Sequence, residues 1–399
     1  MRGSSGVALR RILLVSAPLV LIGGPAFAAD PVTIADDIVA AIVDETRTAT
    51  YAAATADATG NIITITGFTV SDPPNGQDAT IAEIVITNPV DDAEAGFTAE
   101  GMVLRTGSLS DGTNVLRFEN VELTGVTVPG PRLDEAADPG APPPAPFDPN
   151  APPPPIDNNV PIMGMVATGI VLEPPQANPI VLERVEMTVG DVAEGVPYEI
   201  SAALMGLEVP LDLADDSELI AVIRSLGFET LFMDFNVAGA FDADNDTLHV
   251  NSLGIAIREF GHIDFGATVT GVALGQLTAP GGPEAILAAA MINDVRVRFE
   301  NGGAMEAFLR EQAALTNLTP EDVAFGLAAA FQIFLRTLEN PTLEQQVGQA
   351  VGAFLRDPQS ITLVGTPPEP VPLMEIVGLL LSAPTVVPGL LNVVVTAND

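Results

Sequence analysis

The chain has 399 residues, with 52 acidic against 15 basic side chains, a formal net charge of −37 and neither cysteine nor tryptophan; every basic residue is arginine. Without cysteine there is no disulfide framework, thiolate metal site, iron–sulfur cluster or cysteine nucleophile, and without lysine there is no Schiff-base or P-loop chemistry. So acidic a chain argues against nucleic acid as a partner and disfavours contact with an anionic membrane surface.

The first 28 residues read as an export signal. Arg2, Arg10 and Arg11 form a positive start, Ile12 to Ile22 an apolar run, Gly23, Gly24 and Pro25 a break, and Ala26-Phe27-Ala28 a small-x-small cleavage pattern. The apolar run is short for a membrane span. No cysteine follows it, so the signal is not of the lipoprotein kind, and Arg10-Arg11 lacks the rest of the twin-arginine pattern. Cleavage after Ala28 would remove those three arginines and no acids from a chain of −37, leaving −40. The expected location is periplasmic or secreted.

Residues 33–46 carry a helical stripe of Ile34, Ile38, Val39, Ile42 and Val43, with Thr33 and Asp36 as a capping box. The period then changes to two, in 63–66, 84–87 and 115–123. Turns are expected at 59–61, 73–76 and 111–112. These segments predict an antiparallel meander over 29–128. Residues 129–161 hold 13 prolines and read as a loop or linker, with partner binding through a PxxP segment as the alternative. A second β-rich segment, 162–300, follows, with strands at 165–172, 180–189, 198–209, 231–241, 247–257 and 262–274. A short helix at 216–227 interrupts it.

The section 301–399 is mainly helical. Met305, Phe308 and Leu309 open one helix, Thr319-Pro320-Glu321-Asp322 starts a second, and Thr342 with Gln345 is the expected capping box of a third. A strand at 360–364, a helix near 373–381 and a strand at 391–396 complete it. From Ile376 to Asn398 no residue is charged; its prolines and glycine favour a buried helix–turn–strand over a membrane helix. The scarcity of aromatic residues weakens an outer-membrane barrel.

A short signature, T-G-apolar-x-apolar, recurs at Thr66-Gly67, Thr124-Gly125, Thr168-Gly169 and Thr270-Gly271. Glycine inside a strand marks a bulge or a close backbone approach, so the expectation is a repeated bend, against chance recurrence in a Thr/Gly/Val-rich chain.

Little in the sequence carries chemistry. The two histidines, His249 and His262, lie in strand patterns and outside any metal spacing, and no G-x-S-x-G elbow accompanies them. Asp242, Asp244 and Asp246 match the start of an EF-hand, but Thr247 replaces its glycine and Leu253 its bidentate glutamate. A hairpin turn is the preferred reading, with calcium binding left open. No G-x-G-x-x-G lies between a strand and a helix. No catalytic, cofactor-binding or metal-ligating residue is assigned, and no cofactor is expected.

The segments Tyr51 to Asp57, Ile63 to Val70, Val371 to Ile376 and Leu390 to Asn398 resemble a group of uncharacterised exported proteins of Gram-negative bacteria. In strand style they are similar to AsmA-like envelope proteins. That resemblance implies an envelope location and an elongated β groove associated with phospholipid transport; it carries over no functional residue. The Pro-rich stretch and the lack of a clear N-terminal anchor depart from that family. The chain is therefore expected to be an α+β protein: a long twisted antiparallel sheet, an N-terminal helix and a C-terminal helical section packed on the sheet. The expected function is non-enzymatic binding of a lipid or other apolar ligand in a β groove. The alternatives are a periplasmic scaffold that binds an envelope protein through the Pro-rich loop, and a hydrolase using a lone histidine. Whether helices cover the apolar sheet face is the deciding observation.

Overall fold

The computed structural model describes residues 29–44, 46–92, 96–129, 162–175, 177–190, 192–193, 196–213, 224, 228–273, 282–336 and 340–399. The predicted export signal, residues 130–161 of the proline-rich stretch and all but Arg224 of the predicted helix at 216–227 lie outside them. The fold is α+β and dominated by long antiparallel strands. The chain divides into two compact units, Met1–Pro197 with Leu204–Thr230, and Tyr198–Ala203 with Leu231–Asp399.

Unit 1 opens with helix α1 (Pro31–Ile42). It starts and ends earlier than the periodicity predicts. Pro31 occupies the first turn, where its missing N–H costs nothing, and Asp30 rather than Thr33 is the cap, accepting from the Val32 N–H at 3.2 Å. Asp36 instead accepts from the Tyr51 hydroxyl at 2.9 Å. Asp44 ends the segment by accepting from the N–H groups of Thr46 and Arg47, both at 2.9 Å. Those bonds and the Arg47 guanidinium hold its carboxyl well below the usual range, the guanidinium contributing most.

The strands of unit 1 are β1 (Thr48–Thr50), β2 (Ala53–Ala56), β3 (Ile62–Asp72), β4 (Gln77–Thr87), β5 (Val90–Asp92), β6 (Gly96–Ser110), β7 (Val115–Pro129), β8 (Gly164–Glu173) and β9 (Ile180–Val189). They pair antiparallel in the order β3-β4-β6-β7-β8-β9, with β1 and β2 on the free side of β3 and β5 on β6. A small ribbon, β10 (Val192–Ala193) with β11 (Val196–Pro197), precedes β12 (Glu199–Pro210), which pairs with β9. The predicted turns at 59–61, 73–76 and 111–112 all fall between paired strands.

The register aligns apolar residues in rows across the strands. One row runs Ile63, Ile86, Met102, Leu123, Met165, Met187; the next runs Ile65, Ile84, Leu104, Val121, Ala167, Val185. The alternation then slips by one residue on every strand at the same level. Two successive residues face outward, as in Thr66-Gly67, Ala82-Glu83, Arg105-Thr106, Glu119-Asn120 and Glu183-Arg184, before apolar rows resume with Phe68, Ile81, Phe118 and Leu182. Along this line every second strand carries a left-handed residue: Gly67 (φ 63°), Thr106 (φ 50°), Gly169 (φ 63°) and Gly206 of β12 (φ 65°). A left-handed step turns the strand without shifting its register, and repeated at one level it creases the sheet. A Cβ on Gly169 would lie 2.4 Å from Glu119 Cγ, and one on Gly206 2.7 Å from Glu183 Cβ, so these positions also require the absence of a side chain. All four glycines of the T-G signature have positive φ, those of Gly125 and Gly271 being 61° and 76°.

Helix α1 covers part of this apolar face. Ile34, Ala35 and Ile38 pack with Ile63, Ile65, Ile84, Ile86, Phe97 and Met102 into the main core cluster of the unit. Asp37 is drawn into the same helix face and is 9% exposed. Burial, then the neighbouring carboxylates of Asp91 and Asp36, push its pKa up. An acid whose pKa is raised on folding holds its proton more tightly in the folded chain. Stability is therefore greater below that raised pKa and is lost as pH rises through the window above the ordinary aspartate value. Asp37→Asn removes this loss, so the variant should melt at a higher temperature than the parent at neutral pH, with the difference shrinking in mild acid. Thermal unfolding at the two pH values measures it, and a variant less stable at neutral pH would refute the assignment.

Unit 2 contains β13 (Thr230–Asp242), β14 (Thr247–Ile257), β15 (Gly261–Thr270), α2 (Gly282–Ala289), β16 (Met291–Asn301), α3 (Ala304–Thr316), α4 (Pro320–Leu335), α5 (Pro341–Arg356), β17 (Ser360–Gly365), β18 (Val371–Pro372), α6 (Leu373–Ser382), α7 (Val387–Leu390) and β19 (Val393–Ala397). The sheet order is β13-β14-β15-β16-β17-β19, antiparallel, with β18 extending along β16. Thr319 and Asp322 form a reciprocal cap for α4: the Asp322 N–H donates to Thr319 Oγ1 at 3.2 Å and the Thr319 N–H to Asp322 Oδ2 at 3.3 Å. The cap of α5 is Asn340 rather than Thr342, accepting from the Leu343 N–H at 3.1 Å, because Pro341 fixes the first helical position two residues earlier. The uncharged run after Glu375 folds as α6, a turn, α7 and β19, as the helix–turn–strand reading expects; burial is a different matter, since much of α6 is exposed.

Candidate functional site

In unit 2 the sheet separates into a polar and an apolar face. Strand register places Met233, Phe235 and Val237 beside Ile257, Ile255 and Leu253, then Ile263 and Phe265, then Phe299 and Val297, then Ile361 and Leu363. Helix α5 packs on β17 and β19. Its Phe354 meets Phe299 edge-on, ring centroids 6.0 Å apart, and closes that end of the face. The other end is uncovered: Val237 is 39% exposed, Leu253 50%, Ile255 42% and Ile263 49%. Apolar side chains adjacent on three strands and open to solvent form a patch that a monomeric protein rarely leaves without a purpose.

Unit 1 repeats the arrangement. The buried cluster under α1 draws on β3, β4, β6 and β7, whereas Met165, Ile170 and Leu172 of β8 and Ile180, Leu182, Val185 and Met187 of β9 are only half-buried. Both units therefore present an apolar sheet face that a helix covers over part of its width.

The polar face of unit 2 holds the two histidines considered from sequence. Asn236 Nδ2 donates to Ser252 Oγ at 2.6 Å, and the Ser252 hydroxyl in turn donates to Asp264. His262 lies on the same face with its Nε2 close over Gly254, where an added Cβ would be 2.9 Å away. The serine thus donates directly to a carboxylate, whereas a nucleophilic triad needs the imidazole between them. His249 Nδ1 lies 3.4 Å from Thr268 Oγ1 on the neighbouring strand. Further along, Arg298 Nη1 donates to Thr362 Oγ1 and Asp399 Oδ1, both at 3.0 Å, and its Nε donates to Glu300 at 2.8 Å. Bonds from Thr396, Thr362 and Arg298 hold the Asp399 carboxyl low.

Asp242, Asp244 and Asp246 sit in the β13–β14 hairpin. Asp242 accepts from the Asp244 N–H at 3.0 Å and from Asn245 Nδ2 at 2.7 Å, and Asp246 takes a left-handed φ of 47°. The Asn245 amide chiefly lowers the Asp242 pKa. These bonds are those of an Asx turn. An open cleft of about 1260 Å³ lies among α3, α4 and α5, with Arg310, Glu321, Gln332 and Arg356 at its walls and the 78% exposed Phe325 at its rim. Among the described residues no helix is long and apolar enough to cross a membrane, and no three His, Asp or Glu side chains are grouped as a metal site.

The apolar face was legible in the alternating strands. Its division into covered and open parts was not, because α5 meets Phe299 of β16 and packs on β19, both remote from it in sequence. No curated protein matches the chain. Over residues 254–398, from within β14 to the end of β19, it is similar to a family whose model is described as an uncharacterized protein.

Proposed function

We propose that the protein is an exported, non-enzymatic envelope protein that binds a lipid through its acyl chain on the uncovered apolar sheet faces. The observation that carries this reading is the open strip of Val237, Leu253, Ile255 and Ile263 beside the helix-covered part of the same face. Strands lie ~4.8 Å apart, so the open strip across β13, β14 and β15 is on the order of 10 Å wide, enough for one acyl chain lying along the strands. One leaflet's chains occupy about half of a ~30 Å hydrocarbon core. The rows are free of charge, and ligand orientation would come from the few polar groups at their margins, as in other apolar sites. The amino-terminal export pattern and the likeness in strand style to AsmA-like proteins support the compartment and the ligand class.

The test places charge where solvent already reaches. Leu253→Glu with Ile255→Glu should leave the fold intact and reduce binding of a fluorescent fatty acid at least about tenfold, since a carboxylate against an acyl chain loses its hydration. Native mass spectrometry of protein purified from membranes should show bound lipid in the parent and much less in the variant. Equal fatty-acid binding by parent and folded variant would sink this reading.

A further inference from the structure

Helix α6 has two apolar faces, and only one is used. Ile376 and Leu379 point into a small core with Val371, Val387 and Leu391. On the opposite side Met374 is 54% exposed, Val377 39% and Leu381 85%; Leu380 at 54% and Val386 at 50% extend the patch around the end of the helix and into the following turn. Met374, Val377 and Leu381 fall at helical spacings of three and four, so they form one continuous outward stripe. The patch lies almost wholly within the run from Ile376 to Asn398 that holds no charged residue, in a chain with 52 acids.

We propose that this outward face of α6 and the turn after it dock on the surface of a lipid bilayer. Two features favour a bilayer over a protein partner. The first is charge. An acidic chain is repelled by anionic lipid, and the one surface able to enter the headgroup region without dragging a carboxylate with it is one cleared of acids; Glu375, the nearest acid, lies on the flank of the helix between the inward and outward stripes. The second is extent. A stable protein interface needs about 800 Å² on each partner and a polar rim that fixes register. Five side chains on one short helix and its turn, without a charged residue among them, supply neither. A few leucine-sized side chains inserted to the acyl boundary need no such rim. This docking rests on residues other than those of the open sheet strip, so either proposal can fail without the other.

The sign of the salt effect follows from the charge. Binding to vesicles of phosphatidylcholine alone should be nearly independent of salt. Binding to vesicles that also contain phosphatidylglycerol should be weaker at low ionic strength and should rise as salt screens the repulsion, opposite to a polybasic protein. The full chain is sedimented with each kind of vesicle. Leu380→Gln with Leu381→Gln should reduce the bound fraction's partition constant at least about tenfold while thermal unfolding stays unchanged, because both leucines already face water. Phe325→Gln, at the equally exposed rim of the α3–α5 cleft, should leave sedimentation as in the parent. The Leu253→Glu, Ile255→Glu variant should still sediment with vesicles. Failure of the parent to bind either vesicle at any salt would overturn the proposal. So would unchanged binding by the double glutamine variant, or a dimer in analytical ultracentrifugation that this variant abolishes.

Discussion

Replacing Phe354 by alanine should destabilise unit 2 by about 3–5 kcal/mol, the range for emptying a buried aromatic site. Phe354 is 6% exposed and is the ring through which α5 meets Phe299 of β16. Its loss removes the edge-to-face contact, leaves a void between helix and sheet and loosens the helix that packs on both β17 and β19. Hydrogen exchange should show protection falling in residues 341–356 and in β16 and β17. The same variant should bind more of an apolar fluorescent dye, since part of the covered face becomes accessible. Exchange that accelerates only within α5, with β16 and β17 unaffected, would mean that the helix contributes little to holding that end of the sheet.

Gly169→Val should cost about 2–4 kcal/mol through two separate penalties. A β-branched residue at φ 63° sits in a region that only glycine enters freely, and the new Cβ would meet Glu119 Cγ at 2.4 Å in the adjacent strand. Strand β8 must then either straighten, breaking the line of left-handed residues, or push β7 aside. Gly326→Ala is the natural control: it lies within α4, nothing stands within 4 Å of its added Cβ, and helix propensity alone should stabilise by up to about 1 kcal/mol. Urea unfolding of both variants separates conformational strain from a general dislike of substitution. A Gly169 variant as stable as the parent would remove the crease as a constraint on the sheet.

That crease shows how sequence and structure divide the information. The T-G signature marked glycines that do turn the backbone, and the slip in alternation can be read in Ile63-x-Ile65-x-x-Phe68-x-Val70. What no single strand displays is that the slips lie on one line, because that depends on the register of each strand against the next. Thr106 belongs to the same line with no glycine to announce it. Helix boundaries failed in a consistent way: Asp30 and Asn340 cap α1 and α5 in place of Thr33 and Thr342, each followed by a proline that fixes the first turn. The sequence held that signal, and the capping-box patterns beginning three residues after Asp30 and two after Asn340 obscured it.

The polar positions behaved differently. Asp242, Asp244 and Asp246 form the hairpin that their local pattern favours, since Asx bonds reach only two or three residues. The cluster of Asn236, Ser252, His262 and Asp264 was invisible, because three separate strands contribute to it. The exposure of α6 was misjudged for a related reason. An apolar run without charge reads as buried when only composition is considered, yet a helix on a small core can turn just one side inward, and Ile376 and Leu379 use that side up.

By itself the sequence determined the α+β class, the antiparallel strands, most turns and the exclusion of thiol and lysine chemistry, all of which follow from residue type and short-range periodicity. The tertiary structure decided which apolar surfaces meet water. Burial depends on where helices far along the chain come to rest, and α1 and α5 each cover only part of the sheet face whose pattern the strands already carried.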